Sequence, residues 1–181
     1  MGSATIQGQL WGARAQDWAA YVEQVCLPLF GAALDAARVT EGTRLLDAGC
    51  GAGLLSVLAS FRGAQVTAFD AAPALGPLMP PPPPGATPPH PIAQVRATCA
   101  AEIQAGRLSV RCVAIEDFDL EPGEEPFDLA FAARVGALDG RHPELEEQAL
   151  RRIARALKPD GRLFIDGGDP LREVELPRRS V

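Results

Sequence analysis

Thr43-Arg44-Leu45-Leu46-Asp47-Ala48-Gly49-Cys50-Gly51-Ala52-Gly53 is the stretch whose reading decides the fold of this 181-residue chain. Leu45 and Leu46 close a short apolar run of the kind that forms a buried strand, and Asp47 stands at its carboxyl tip. Gly49, Gly51 and Gly53 follow within five residues. Glycines so spaced let the backbone turn tightly and approach a ligand closely, because no Cβ stands in the way. Leu54, Leu55, Val57 and Leu58 then open an apolar helix. The first N–H groups of such a helix have no partner within it and suit a carboxylate, a phosphate or a ribose edge. The stretch therefore predicts strand, turn and helix start around one small ligand.

Moving outward, Gly63 ends that helix and Ala64–Asp70 reads as a second strand, again with an acid last. A strand-helix-strand unit of this length makes a right-handed parallel crossover, which brings Asp47 and Asp70 to the same sheet edge. Three further strands are predicted at Arg107–Ile115, Phe127–Ala132 and Arg162–Asp166. Between them, Ile92, Val95, Cys99 and Ile103 mark one helix face that ends near Gly106, and Pro143 opens the clearest helix in the chain. Its acids lie early and its arginines late, complementing the helix dipole, and Leu145, Ala149, Leu150, Ile153 and Leu157 form its buried face. Strand and helix alternate. The fold class is α/β: a Rossmann-like doubly wound parallel sheet of about five strands in an α/β/α sandwich.

One domain is predicted over residues 1–181, with N-terminal helices in 9–38, the βαβ unit in 43–70, a proline-rich insert in 73–91, the rest of the core in 92–166 and a tail in 167–181. Trp18, Val22, Val25 and Leu29 recur at helical spacing on one face, and Pro28 is expected to divide that region into two helices. Ten prolines fall between Pro73 and Pro91, which excludes regular helix or central strand. The insert reads as a solvated surface loop, with recognition by an aromatic-grooved partner as the competing reading.

Composition removes several function classes. A formal net charge of -6 argues against a nucleic-acid surface, which needs clustered Lys and Arg. Cys26, Cys50, Cys99 and Cys112 are scattered without CxxC spacing, so no metal site or disulfide scaffold is indicated. No apolar run approaches the roughly 18 to 20 residues that span a bilayer. The N-terminus lacks the charged start and apolar run of a secretory signal, and the expected location is cytoplasmic.

Two ligand classes suit a glycine turn followed by an acid after the second strand: a dinucleotide and S-adenosylmethionine. The dinucleotide pattern G-x-G-x-x-G wants glycine at the sixth place, where this chain has Leu54. The pattern is instead D-x-G-x-G-x-G. A nearby carboxylate disfavours a pyrophosphate and favours a cationic sulfonium with an ammonium group.

LLDAGCGAG, followed in order by VTAFD, FDLAF and ALRRIARALKPDGRLFID, resembles the class I S-adenosylmethionine-dependent methyltransferases over about Trp11 to Asp166, the insert excepted. The resemblance implies methyl transfer to a small-molecule acceptor with S-adenosyl-L-methionine as cofactor. It implies that Asp47 and the Gly49-Cys50-Gly51-Gly53 turn hold the methionine part and support the ribose. Asp70 would accept hydrogen bonds from the ribose hydroxyls, with Ala71 beside the adenine. Where members place an acid for the adenine amino group, this chain has Ala114, followed by Ile115 as an apolar contact and Glu116; Glu116 or Asp117 is then the nearest carboxylate, while Asp117 and Asp119 read as a solvated loop. Arg134 is a candidate clamp for a carboxylate of methionine or substrate, and His142 is the candidate general base, with helix entry before Pro143 as its other reading.

Family members continue past the fifth strand with a helix and a strand hairpin. Here the fold is expected to stop after the fifth strand, leaving an edge open to a second copy unless Leu171–Leu176 covers it. Two other readings stand beside methyl transfer: a catalytically impaired methyltransferase-like binding protein, and a nucleotide-dependent oxidoreductase.

Overall fold

The computed structural model describes residues 23–51, 53–71, 100–165 and 167–177. Trp18, Val22, the proline-rich insert, Ile92, Val95 and Cys99 lie outside them. The elements in chain order are α1 (Glu23–Ala36), β1 (Arg44–Ala48), α2 (Leu54–Phe61), β2 (Gln65–Asp70), α3 (Ala100–Gln104) and β3 (Leu108–Cys112). A 3-10 turn (Ile115–Asp117), β4 (Phe127–Ala132), α4 (Pro143–Ala156), β5 (Leu157–Ile165) and β6 (Arg172–Val174) complete the order. The sheet runs β3-β2-β1-β4-β5-β6, parallel except for β6. Strand order reverses between β1 and β4, so the carboxyl end of β1 opens at the crevice where α/β sheets take their ligands.

Alternation along each strand builds a core on both faces. Leu45, Val66, Leu129, Phe131 and Phe164 face one side, where Ala33, Leu34, Leu55 and Ala59 of α1 and α2 cover them. Leu46, Phe69, Ala130, Leu163 and Ile165 face the other, with Ala149 and Ile153 of α4. Strands buried on both faces read as apolar runs, which is why LLDA and DLAFA carry so few polar residues. Phe69 stacks on Phe118 with centroids 4.4 Å apart, an arrangement that adds about 1 kcal/mol to the burial of the two rings.

Four expectations change. Pro28 lies inside α1 and does not divide it. Pro28 is exposed, its ring turned to solvent, and one missing N–H bond is tolerated there. Leu29, expected on the buried face, is 39% exposed; Ala33, Leu34 and Ala37 take that role. The Pro159-Asp160-Gly161 turn lies within β5 as a bulge: Phe127 pairs with Leu157 and Leu129 with Arg162, so residues 158–161 loop out between them.

Finally, the sheet does not stop after the fifth strand. β6 pairs antiparallel with β5 at Leu163–Val174, Phe164–Glu173 and Ile165–Arg172, and Arg162 binds Glu173 at 2.9 Å. Leu171 packs into one core and Val174 and Leu176 into the other. The edge proposed for pairing with a second copy is thus occupied over these residues by the chain's own tail.

Candidate functional site

Parallel pairing places the carboxyl ends of β1, β2, β3 and β4 along one edge; Asp47, the glycines, Asp70, Ala71, Ala114 to Glu116 and Arg134 stand on or just after those ends, and His142 stands farther along the loop after β4. Asp47 pairs in register with Ala68 of β2 and Phe131 of β4. Asp47 shares the side-chain parity of Leu45, so it faces α2, where its Oδ2 accepts from Ser56 Oγ at 2.5 Å. At 4% exposure it is the one buried charged residue among the described residues, and Ser56 is fully buried. Asp47 therefore ties the strand tip to the first turn of α2.

The glycine turn hangs on β2. The N–H groups of Gly49 and Cys50 both donate to the Phe69 carbonyl, at 2.8 and 3.0 Å, and Gly53 N–H donates to the Cys50 carbonyl at 2.8 Å. Gly51 N–H donates to Asp70 Oδ2 at 3.0 Å, which seats the second strand-end acid against the turn. The left-handed φ values are 69° at Gly49, 54° at Gly51 and 83° at Gly53. Gly53 caps α2 without a side-chain hydrogen bond, and no acidic residue stands in the first turn. Cys50 is buried, and Cys26, Cys50 and Cys112 are free thiols.

Beyond β3, the Asp70 carbonyl receives the Val113 N–H at 3.1 Å, which carries the chain past the second acid into the Ile115–Asp117 turn. Ala114 and Glu116 are half-buried, Ile115 is buried and Asp117 and Asp119 are exposed. The Glu116 carbonyl accepts from Gln148 Nε2 at 2.9 Å and Arg152 Nε at 3.2 Å, and Arg152 also pairs with Asp119 at 2.9 Å. Helix α4 thus sets the position of this turn. No sequence motif announced that bracing, because Gln148 and Arg152 look like any solvated helix face.

The loop after β4 completes the edge. Arg134 is exposed and holds a left-handed φ of 61°, uncommon for a residue with a Cβ. Its carbonyl accepts from Arg141 Nη2 at 2.6 Å, and Arg141 also grips Asp139 through Nε and Nη2. Burial pushes the Asp139 carboxyl up, but the Arg141 guanidinium and N–H, with a contribution from His142, hold it below the usual range. Next along, Val135 lies against the glycine turn: a Cβ placed on Gly49 would fall 2.7 Å from Val135 Cγ2. His142 is the residue before the first turn of α4, as its helix-entry reading anticipated; its N–H donates to the Gly136 carbonyl at 2.9 Å and its ring lies over Gly136. Val135 and Gly136 are the residues that sequence reasoning missed. Their contacts are to positions far along the chain or across a loop, and nothing local marks them.

A cavity of about 340 Å³ opens at the other end of the sheet, among residues that include Arg44, Gln65, Thr67, Ser109, Arg111 and Glu124. Its polar groups bind one another, with Ser109 to Thr67 at 2.9 Å and Arg111 to Glu124 at 2.7 Å, and it lies away from the glycine turn. The candidate residues of the glycine turn and the strand-end acids lie together at the carboxyl edge.

No protein-family model matches the chain. Over 126 residues it is 33% identical to a ubiquinone biosynthesis O-methyltransferase of Xylella fastidiosa, an alignment covering 69% of this chain and 42% of that protein. The chain spans less than half the length of the curated relatives it matches first. Among solved structures, the 1,6-didemethyltoxoflavin-N1-methyltransferase of Burkholderia thailandensis, solved with 1,6-didemethyltoxoflavin and S-adenosylhomocysteine bound, superposes with a TM-score of 0.61. The two are 23% identical, over 88% of this chain and 60% of that one. The [4+2]-cyclase SpnF shares the fold at a TM-score of 0.57 and 24% identity, over 78% of this chain and 45% of that one. Among the described residues, no helix is long and apolar enough to cross a membrane.

Proposed function

We propose that the chain, similar in sequence to a ubiquinone biosynthesis O-methyltransferase and in fold to S-adenosylmethionine-dependent methyltransferases, binds S-adenosyl-L-methionine and methylates a small molecule. The observation that carries this reading is the Asp70 carboxylate held at 3.0 Å from the Gly51 N–H, on the turn that joins β1 to a helix without a side-chain cap. A carboxylate so placed suits the paired hydroxyls of a ribose, and the glycine turn with the α2 N–H groups suits a carboxylate beside it. The donor set fits the cofactor. When bound, that group supplies a methyl carbon already activated on a sulfonium, so the chain's own tasks are alignment, exclusion of water and removal of a proton.

Within this reading, Asp70 holds the ribose, while Gly49, Cys50, Gly51 and Gly53 line the methionine part. Asp47 acts there through the turn it braces. Ala71, Ala114, Ile115 and Glu116 border the adenine, Arg134 meets a carboxylate, and His142 takes the proton of the acceptor. The acceptors to try first are hydroxyl compounds, in line with the O-methyltransferase named above.

Calorimetry with S-adenosylmethionine, S-adenosylhomocysteine and NAD tests the cofactor. Binding of the first two and not of NAD is expected. An Asp70→Ala affinity within twofold of wild type overturns the ribose assignment, and absence of binding to all three overturns the reading. Because a cyclase shares the fold, binding must be followed by transfer: methyl-labelled cofactor should yield labelled phenolic or other hydroxyl product.

A further inference from the structure

Gly136 has no backbone reason to be glycine, since it is absent from the left-handed positions of the chain. Its reason lies in space: a Cβ there would stand 2.8 Å from His142 Cδ2 and 3.6 Å from Nε2, distances that would push the imidazole away. On the ring's other side, Nδ1 stands 3.4 Å from Glu144 Oε1. The backbone is fixed as well, by the His142 N–H on the Gly136 carbonyl and by the Leu145 N–H on the His142 carbonyl at 3.0 Å. The imidazole is thus seated between a bare backbone and a carboxylate. Val135, next to that seat, rests on Gly49, so the seat is fastened to the glycine turn.

We propose that Glu144 is a positioning residue that selects the tautomer of His142, holding the proton on Nδ1 and leaving the Nε2 lone pair to receive a proton. A neutral imidazole carries one N–H, and the nitrogen that faces a carboxylate keeps it. Nε2 is then the base, and the acceptor served is one that must lose a proton from O–H or N–H, in preference to a thioether or a tertiary amine. The proton passes from the acceptor to Nε2 and afterwards to water. The charged groups around the ring are Glu144 from α4, and Asp139 and Arg141 from the loop, which are paired with each other. This inference rests on the reading of His142 as the base of a methyltransferase.

The test is a long-range nitrogen–proton correlation spectrum of the full 15N-labelled chain. The sequence has two histidines, so a His90→Gln variant leaves His142 as the single ring to assign. Above the titration of the ring, wild type should show a protonated Nδ1 and an unprotonated Nε2. Glu144→Gln keeps an acceptor oxygen and should retain that pattern, whereas Glu144→Ala should exchange the two nitrogens' shifts. A protonated Nε2 in wild type, or identical spectra for wild type and Glu144→Ala, overturns the proposal; the wild-type spectrum decides even if a variant fails to fold. Calorimetry with S-adenosylmethionine on the same samples separates the two levels. Loss of cofactor binding in wild type would sink the methyltransferase reading, while the tautomer pattern stands or falls by itself.

Discussion

Gly49 meets two demands at one position, a left-handed φ of 69° and a neighbour, Val135, that leaves no room for a Cβ. Gly49→Ala should therefore cost about 2 kcal/mol or more in urea unfolding, combining the left-handed penalty with displacement of Val135. The same variant should bind S-adenosylmethionine more weakly, and unchanged affinity would show that the turn tolerates the shift. Ser56 tests the acid beneath the turn. Replacing it by alanine removes a donor from a carboxylate that is 4% exposed, and should cost about 1 to 3 kcal/mol by denaturant titration. A Ser56→Ala chain as stable as wild type would show that other partners of Asp47 suffice.

At the scale of elements, Asp128 joins three strands: at the start of β4, its carboxylate accepts the Arg44 N–H of β1 at 2.8 Å and binds Lys158 of β5 at 2.5 Å. Burial raises the tendency of this group to hold a proton, but Lys158 and the Arg44 N–H outweigh it and lower its pKa. The folded value lies below the unfolded value of about 3.9, so the stabilisation is complete above that value and is lost as pH falls through the folded one. Stability measured from about pH 5 down to pH 3 should fall more steeply for wild type than for Asp128→Asn. At neutral pH the variant should be less stable by about 1 kcal/mol, after allowance for solvent screening of a partly exposed pair. Such elements were largely legible in the chain: β1, β2 and β4 by apolar runs ending in acids or turns, and α4 by Pro143 and its charge order. What escaped was decided by tertiary partners. Arg172-Glu173-Val174 is too short and too charged to announce a strand, and residues 158–161 read as a turn before β5 although pairing begins at Leu157. The candidate site divides the same way, its acids and glycines readable, its Val135, Gly136 and α4 braces not.

For the whole molecule, the sixth strand decides the state of the sheet. Arg172 and Glu173 are exposed on β6, and charge on a short outer strand discourages pairing with another chain. Deleting residues 168–181 should uncover the β5 edge and the apolar surface beneath Leu171, Val174 and Leu176. The shortened chain should self-associate with rising concentration in light scattering and melt several degrees lower, about 2 to 4 °C for each kcal/mol lost. A truncated chain that stays monomeric at full stability would show that β6 covers nothing essential.

The placing of β1 between β2 and β4 also bears on how the protein is made. Arg44 and Asp128 meet across 84 residues of chain, and Val135 reaches the glycine turn from farther still. Contacts of such high sequence separation form late, after local pairings such as β1 with β2. During synthesis the glycine-bearing segment leaves the ribosome long before the strand that must flank it and the loop that must close on it. The nascent chain therefore carries a half-walled crevice until β4 emerges, and the crevice is completed only long after its glycine turn has been made.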